Sequence, residues 1–232
     1  MYILVAIFAA VFLAVGWVGR MQYTAMLRTV TLTCAQLTVQ APFSAKCEVT
    51  GTVRGPAGPM LTAPFSGTPC VWYRVRATAK HRTGSDNEFH KEDSEAPFEV
   101  WDGTGAIEVF PEGKNIDGTV KSFDAKVSPG NGGALPTPAW SPDQDKEYHY
   151  EEWTLPVGSA LYARGTAMFD GRRLVMRAPG GHGDESDPYI LSTRSEKQLR
   201  RRALALMLVG YVVGALLVVL AGVVAVIESN GD

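Results

Sequence analysis

Both ends of the 232-residue sequence lack charge. Of its 24 acidic and 22 basic residues only Glu228 and Asp232 fall outside Arg20–Arg202, so residues 1–19 and 203–227 carry no formal charge. In helical form, at 1.5 Å per residue, they reach roughly 28 and 37 Å, enough for a hydrocarbon core of about 30 Å. Cysteine is scarce too. Cys34, Cys47 and Cys70 are odd in number and show no C-x-x-C spacing, which excludes a full disulfide framework and a zinc knuckle and leaves buried reduced thiols as the expectation. The four histidines are scattered without i, i+3 or i, i+4 pairing and without a neighbouring cysteine. They read as surface or structural residues rather than metal ligands. Asp184, Glu185 and Asp187 lack the spacing of an EF-hand and read as a solvated loop. Glu151 and Glu152 are adjacent, so a strand sends them to opposite faces and they form no carboxylate pair; one of them is expected to be structural. There is no G-x-S-x-G elbow and no phosphate-binding loop, since Gly103-Thr104-Gly105 reads as a turn. Neither a catalytic cluster nor a cofactor site is expected.

The segment between the apolar runs balances its acidic and basic residues and holds all 14 prolines, a composition that argues against a nucleic-acid partner held by bulk charge and for a turn-rich soluble domain. Its period is mostly two. Residues 47–54 read as a strand. Val71–His81 alternates most clearly, with Val71, Tyr73, Val75 and Ala77 on one face and Trp72, Arg74, Arg76 and Thr78 on the other. Residues 82–95 are charged and read as a solvated loop or hairpin tip. Strands at 98–101 and 106–110 flank Asp102-Gly103, a hairpin signal, and Asp170-Gly171 offers a second one between strands at 160–169 and 172–177. Further strands are expected at 119–127, 148–155 and 189–192, with a proline-rich loop at 129–145. The fold class is therefore α+β: two transmembrane helices flanking a small all-β domain, barrel or sandwich. The boundaries read as a span at 1–19, a juxtamembrane helix at 20–41, the β domain at 42–193, a basic juxtamembrane helix at 194–202 running unbroken into a span at 203–227, and a tail at 228–232.

Lysine and arginine flanking a span are retained in the cytoplasm. Arg20, Arg28, Arg194, Lys197, Arg200, Arg201 and Arg202 all lie on the inner flanks and none on the outer ones. A multi-pass protein with its β domain in the cytoplasm is expected. Ala14-Val15-Gly16 resembles a cleavage site, but a secretory signal wants a basic segment ahead of its apolar run. The triplet Arg200-Arg201-Arg202 beside a span reads either as a headgroup-binding patch, worth about 1 kcal/mol per cation, or as a topology signal. Gly210 and Gly214 form a G-x-x-x-G pair suited to close helix packing, against the first span or in a homodimer.

Several blocks between Gly51 and Arg202 resemble the GIDE domain of mitochondrial and chloroplast outer-membrane RING-type ubiquitin ligases and of shorter bacterial relatives. One is Leu61-Thr62-Ala63-Pro64-Phe65-Ser66-Gly67-Thr68-Pro69-Cys70-Val71-Trp72-Tyr73-Arg74. Another is Pro97-Phe98 with Val100, Asp102, Gly105, Ile107, Val109 and Pro111. A third runs from Tyr150 through Glu152 and Trp153 to Gly158, followed by Leu161 and Gly165, and the last is Tyr189-Ile190-Leu191-Ser192. The resemblance implies a β module tethered beside a membrane. It also implies a domain facing the intermembrane space in the organellar relatives, the reverse of the charge rule. A RING needs eight Cys or His ligands, and these 232 residues hold seven. The expected function is thus a binding or scaffold module at the membrane surface, with an unidentified protein and the lipid bilayer as partners. The alternative is a ubiquitin-ligase-like protein that takes its RING from a partner chain.

Overall fold

A computed structural model describes residues 2–39, 44–56, 58–80, 85–128, 131, 133–136, 147–169, 172–179 and 188–230. The chain divides into two compact units, residues 1–29 with 195–232, and residues 30–194. The first unit is a helical pair, α1 (Tyr2–Arg28) and α3 (Glu196–Asn230). Both helices are long and apolar enough to cross a membrane. Leu4, Phe8, Val212, Leu216 and Val219 on them are more than half exposed, a surface that suits lipid rather than water. The interface between them is built from small residues. A side chain at Gly210 meets the backbone of Gly16, whose Cα lies 2.5 Å from the required Cβ position, and a side chain at Gly19 meets the Met207 backbone nitrogen at 2.6 Å. Glycine on both sides is what permits that approach.

The second unit begins with the short helix α2 (Cys34–Val39), followed, among the described residues, by thirteen strands. Five of them close a barrel: β1 (Ser44–Pro56), β6 (Phe98–Trp101), β7 (Ala106–Val109), β12 (Leu174–Arg177) and β11 (Ala160–Phe169). Each neighbour is antiparallel except β7 with β12, and β11 returns to β1 to complete the ring. This is the connectivity of a five-stranded Greek-key barrel of the OB type. It settles barrel against sandwich. One strand closes the seam because β1 is 13 residues long: residues 44–52 pair with β11 and residues 52–56 with β6. The inward residues, among them Val49, Val53, Val100, Ile107, Leu161, Ala163 and Met176, form the main core, with Leu37 of α2 fully buried among them.

Two excursions leave the barrel. Between β1 and β6 come β2 (Leu61–Thr62), β3 (Pro69–Cys70), β4 (Trp72–Lys80) and β5 (Asn87–Asp93); between β7 and β11 come β8 (Ile116–Asp117), β9 (Val120–Val127) and β10 (Glu147–Leu155). The excursions join each other through β4 and β10, which pair along nine residues from Trp72↔Leu155 to Lys80↔Glu147, giving a second sheet in the order β5-β4-β10-β9. One face of that sheet is an aromatic cluster of Tyr148, Tyr150, Phe65, Phe89 and Phe123, and the other is polar. The last strand, β13 (Ile190–Ser192), pairs with β11 and β8. Residues 87–93, within the stretch expected as a solvated loop or hairpin tip, form an edge strand paired antiparallel with β4. Their polarity reflects exposure on an open edge, where charge discourages pairing with other chains.

Candidate functional site

The polar face of the second sheet is arranged by register. Arg74 and Arg76 of β4 and Trp153 of β10 share that face, with Trp153 directly opposite Arg74. Together with Asn115 to Thr119 and Arg194 they line a groove of about 350 Å³. Arg74 is buried and forms a forked pair with Asp93, Nε to Oδ1 at 2.5 Å and Nη2 to Oδ2 at 2.7 Å. The Arg76 Nε lies 3.4 Å from Glu88, and the Arg194 Nε donates to Asp117 at 2.9 Å. A groove with three guanidinium groups, each facing a carboxylate, and one half-buried indole presents hydrogen-bond donors and an aromatic wall without a large net charge. Those are the residue types that carry protein recognition.

Beside the groove lies a charged cluster on β9 and β10. Asp124, His149 and Glu151 place ligand atoms within 4.8 Å of one another, the arrangement of a metal site. Half of its negative charge is already matched from within, because the single Lys121 ammonium donates to Asp124 and, at 2.7 Å, to Glu151. The His149 Nε2 is 2.7 Å from Asp124. A divalent cation would have to expel the lysine, so the geometry favours a cross-strand ion network. The sequence shows His149 and Glu151 on one face of a strand, but only the pairing of β9 with β10 brings Asp124 opposite Glu151.

Behind this face, Glu152 is fully buried and anchors the loop between β2 and β3. Its carboxylate accepts from the Phe65 and Ser66 backbone N–H groups at 2.7 and 3.3 Å, the Ser66 hydroxyl at 2.5 Å and the Ser122 hydroxyl at 2.6 Å. Two sequence blocks of the resemblance, 61–74 and 150–158, therefore meet at one carboxylate. Glu151 points the other way, toward Lys121, as strand alternation requires.

Asp102 has a second role that its turn signal does not reveal. Besides bonding Thr104 and Gly105 within the β6–β7 hairpin, its Oδ2 accepts from the Cys34 backbone N–H at 2.6 Å, while the Thr104 hydroxyl accepts from Ala35 N–H at 3.1 Å. The hairpin thus caps α2 from a distance. Burial works to raise the Asp102 pKa, but the hydrogen bonds, led by the one from Cys34, outweigh it and hold the carboxyl below its ordinary value. A depressed native pKa means stability present above about pH 4 and lost as the pH falls through the native value. Asp102→Ala is expected to cost about 2 kcal/mol at pH 7. Thermal unfolding from pH 7 to 3 checks this: the gap between wild type and variant should narrow below pH about 4, and a gap that stays constant would count against the carboxylate.

All three cysteines are buried and free. Burial pushes the Cys34 thiol up to about 12, with the nearby Asp102 charge adding to it, and the Cys47 and Cys70 thiols up to about 11. None is poised as a nucleophile. Of the other residues singled out by sequence, Arg200 lies on α3 within 3.3 Å of Glu196, and Arg201 and Arg202 are exposed beside it. Gly210 and Gly214 pack on α1, against Gly16 and Leu13; a homodimer through that face has to compete with α1. His81, His182, Asp184, Glu185 and Asp187, the Asp170-Gly171 turn and most of the 129–145 loop lie outside the described residues.

The profile of the GIDE family, described as E3 Ubiquitin ligase, matches residues 73–225. No curated protein and no solved structure matches the chain. The matched span begins on β4, takes in both arms of the second sheet and the barrel strands from β6 onward, and runs into the second apolar helix. The chain belongs to the GIDE family.

Proposed function

We propose that this protein is a membrane-anchored GIDE module whose β domain binds or scaffolds another protein at the membrane surface and performs no catalysis of its own. The observation that carries the reading is the groove lined by Arg74, Arg76, Trp153 and Arg194, residue types that suit protein recognition. The high thiol pKa values support it, because covalent ubiquitin transfer through a cysteine needs an accessible thiolate. Crosslinking in native membranes followed by mass spectrometry is expected to recover a partner joined to residues of the groove, and Trp153→Ala should abolish that product. The rival reading rests on the family description: a ligase-like protein working with a RING from another chain. Purified protein that transfers ubiquitin with activating and conjugating enzymes but no added RING protein would overturn the proposal.

The two apolar helices are read as spans, with the β domain in the cytoplasm on the strength of the seven inner-flank cations. Thiol labelling of intact cells with a membrane-impermeant maleimide checks the side. A cysteine at Asn131, which is exposed, should stay unlabelled until the membrane is opened, and one at Asn230 should label at once. Labelling of Asn131→Cys in sealed cells would reverse the orientation and favour the layout of the organellar relatives.

A further inference from the structure

The helical pair contains a cavity of about 450 Å³, lined by Tyr23 of α1 and by Glu196, Lys197, Arg200, Arg201 and Leu204 of α3. Its position follows from helix geometry: 197, 201 and 204 are spaced i, i+4 and i+7, so they stand on one face of α3, with Arg200 beside them. The helix end is not the attraction. The first turn is already closed by a capping box in which Ser195 N–H donates to the Gln198 side chain at 3.1 Å and Gln198 N–H donates to the Ser195 hydroxyl at 3.4 Å. What remains is side-chain charge. Arg200 is held by Glu196 at 3.3 Å and reaches the Tyr23 hydroxyl, whereas Lys197 and Arg201 are exposed and have no acidic partner among the described residues. Two unmatched cations therefore face one cavity whose remaining wall is the Glu196–Arg200 ion pair, the Tyr23 ring and the Leu204 side chain. The uncharged stretch of α3 begins at Ala203, within one turn of Leu204.

We infer that this cavity is a binding site for the headgroup of an anionic phospholipid, with Lys197 and Arg201 contacting the phosphate and Tyr23 and Leu204 lying against the glycerol and the start of the acyl chains. A zwitterionic headgroup brings its own cation to the phosphate and leaves Lys197 and Arg201 incompletely matched; an anionic one does not. The site turns the basic stretch from a diffuse attraction into a stereospecific one, because Tyr23 comes from the other helix and Arg202 is not part of the lining. The inference rests on the reading of both helices as membrane spans.

The full chain is reconstituted in nanodiscs of phosphatidylcholine containing one fifth phosphatidylglycerol, and the lipids retained after gentle release are counted by native mass spectrometry. The expected result is a single phosphatidylglycerol retained in preference to phosphatidylcholine, with the preference reduced roughly tenfold or more in the Lys197→Ala/Arg201→Ala double variant. Arg202→Ala, which removes one charge outside the cavity where the double variant removes two inside it, should leave the preference within about twofold of wild type. A loss per charge as large in Arg202→Ala as in the double variant would mean diffuse attraction, and no preference in wild type would mean no site; either overturns the inference. Displacement of the lipid by 10 mM inorganic phosphate would show a free-anion site and also overturns it. Resistance of the same protein to alkaline extraction from membranes, measured in parallel, separates loss of the lipid site from failure of the membrane reading.

Discussion

Replacing Glu152 by alanine is expected to lower the melting temperature of the detergent-solubilised protein by about 6 to 20 °C. The side chain is completely buried and takes four hydrogen bonds, two from backbone N–H groups of the 61–70 loop and two from serine hydroxyls. Truncation leaves those donors without an acceptor and opens a cavity beside the aromatic face of the sheet, a combined cost of about 3 to 5 kcal/mol. At roughly 2 to 4 °C per kcal/mol for a domain of this size, that gives the stated shift. Glu152→Gln should cost much less. Its amide keeps one acceptor oxygen for the Phe65 and Ser66 N–H groups, and the two serine hydroxyls can rotate to accept from its NH₂ group. The order wild type, Gln, Ala is the signature of an acceptor role. An alanine variant within about 1 kcal/mol of wild type would show that the loop is held by other contacts.

Gly51→Val is expected to prevent the barrel from closing. Gly51 sits one residue before Thr52, the position at which β1 passes from β11 to β6. A Cβ there meets the Trp101 carbonyl oxygen, with the Trp101 carbonyl carbon at 2.7 Å and Val100 Cγ1 at 2.8 Å. The obstruction is mostly backbone, which cannot swing aside as a flexible side chain can, and the displaced strand would break pairing on both sides of the seam. Gly51→Ala should already cost about 2 to 3 kcal/mol, and the valine variant should yield protein that is largely aggregated or proteolysed. Gly55, four residues along the same strand, is the control. Nothing lies within 4 Å of its Cβ position and its backbone is not in the left-handed region, so Gly55→Ala should be neutral or stabilising by up to about 1 kcal/mol. Similar loss in both variants would mean that glycine is needed here for reasons other than close approach.

The linear sequence determined the features that depend on short-range pattern. Charge-free runs of 19 and 25 residues are long enough for spans whatever surrounds them, and α1 and α3 cover both. Alternation in 71–81 and the Asp-Gly turn at 102–103 likewise state a local conformation, and β4 and the β6–β7 hairpin stand where expected. Helix α1 runs on to Arg28 and a separate α2 follows, since nothing between Gly19 and Arg28 breaks a helix. Tertiary structure decided everything that depends on which edges meet. Barrel closure, the zipping of β4 onto β10, and the choice of α1 as the partner of Gly210 all join segments far apart in the chain, and alternation assigns a strand's two faces without naming its neighbour. For the same reason the long-range partners of Asp102 and Glu152 were invisible. As residues they are a turn former and one of two adjacent glutamates; as parts of the fold, one caps a helix 68 residues upstream and the other holds a loop 87 residues away. Their significance comes from burial beside unpaired donors, and only the folded chain determines which donors those are.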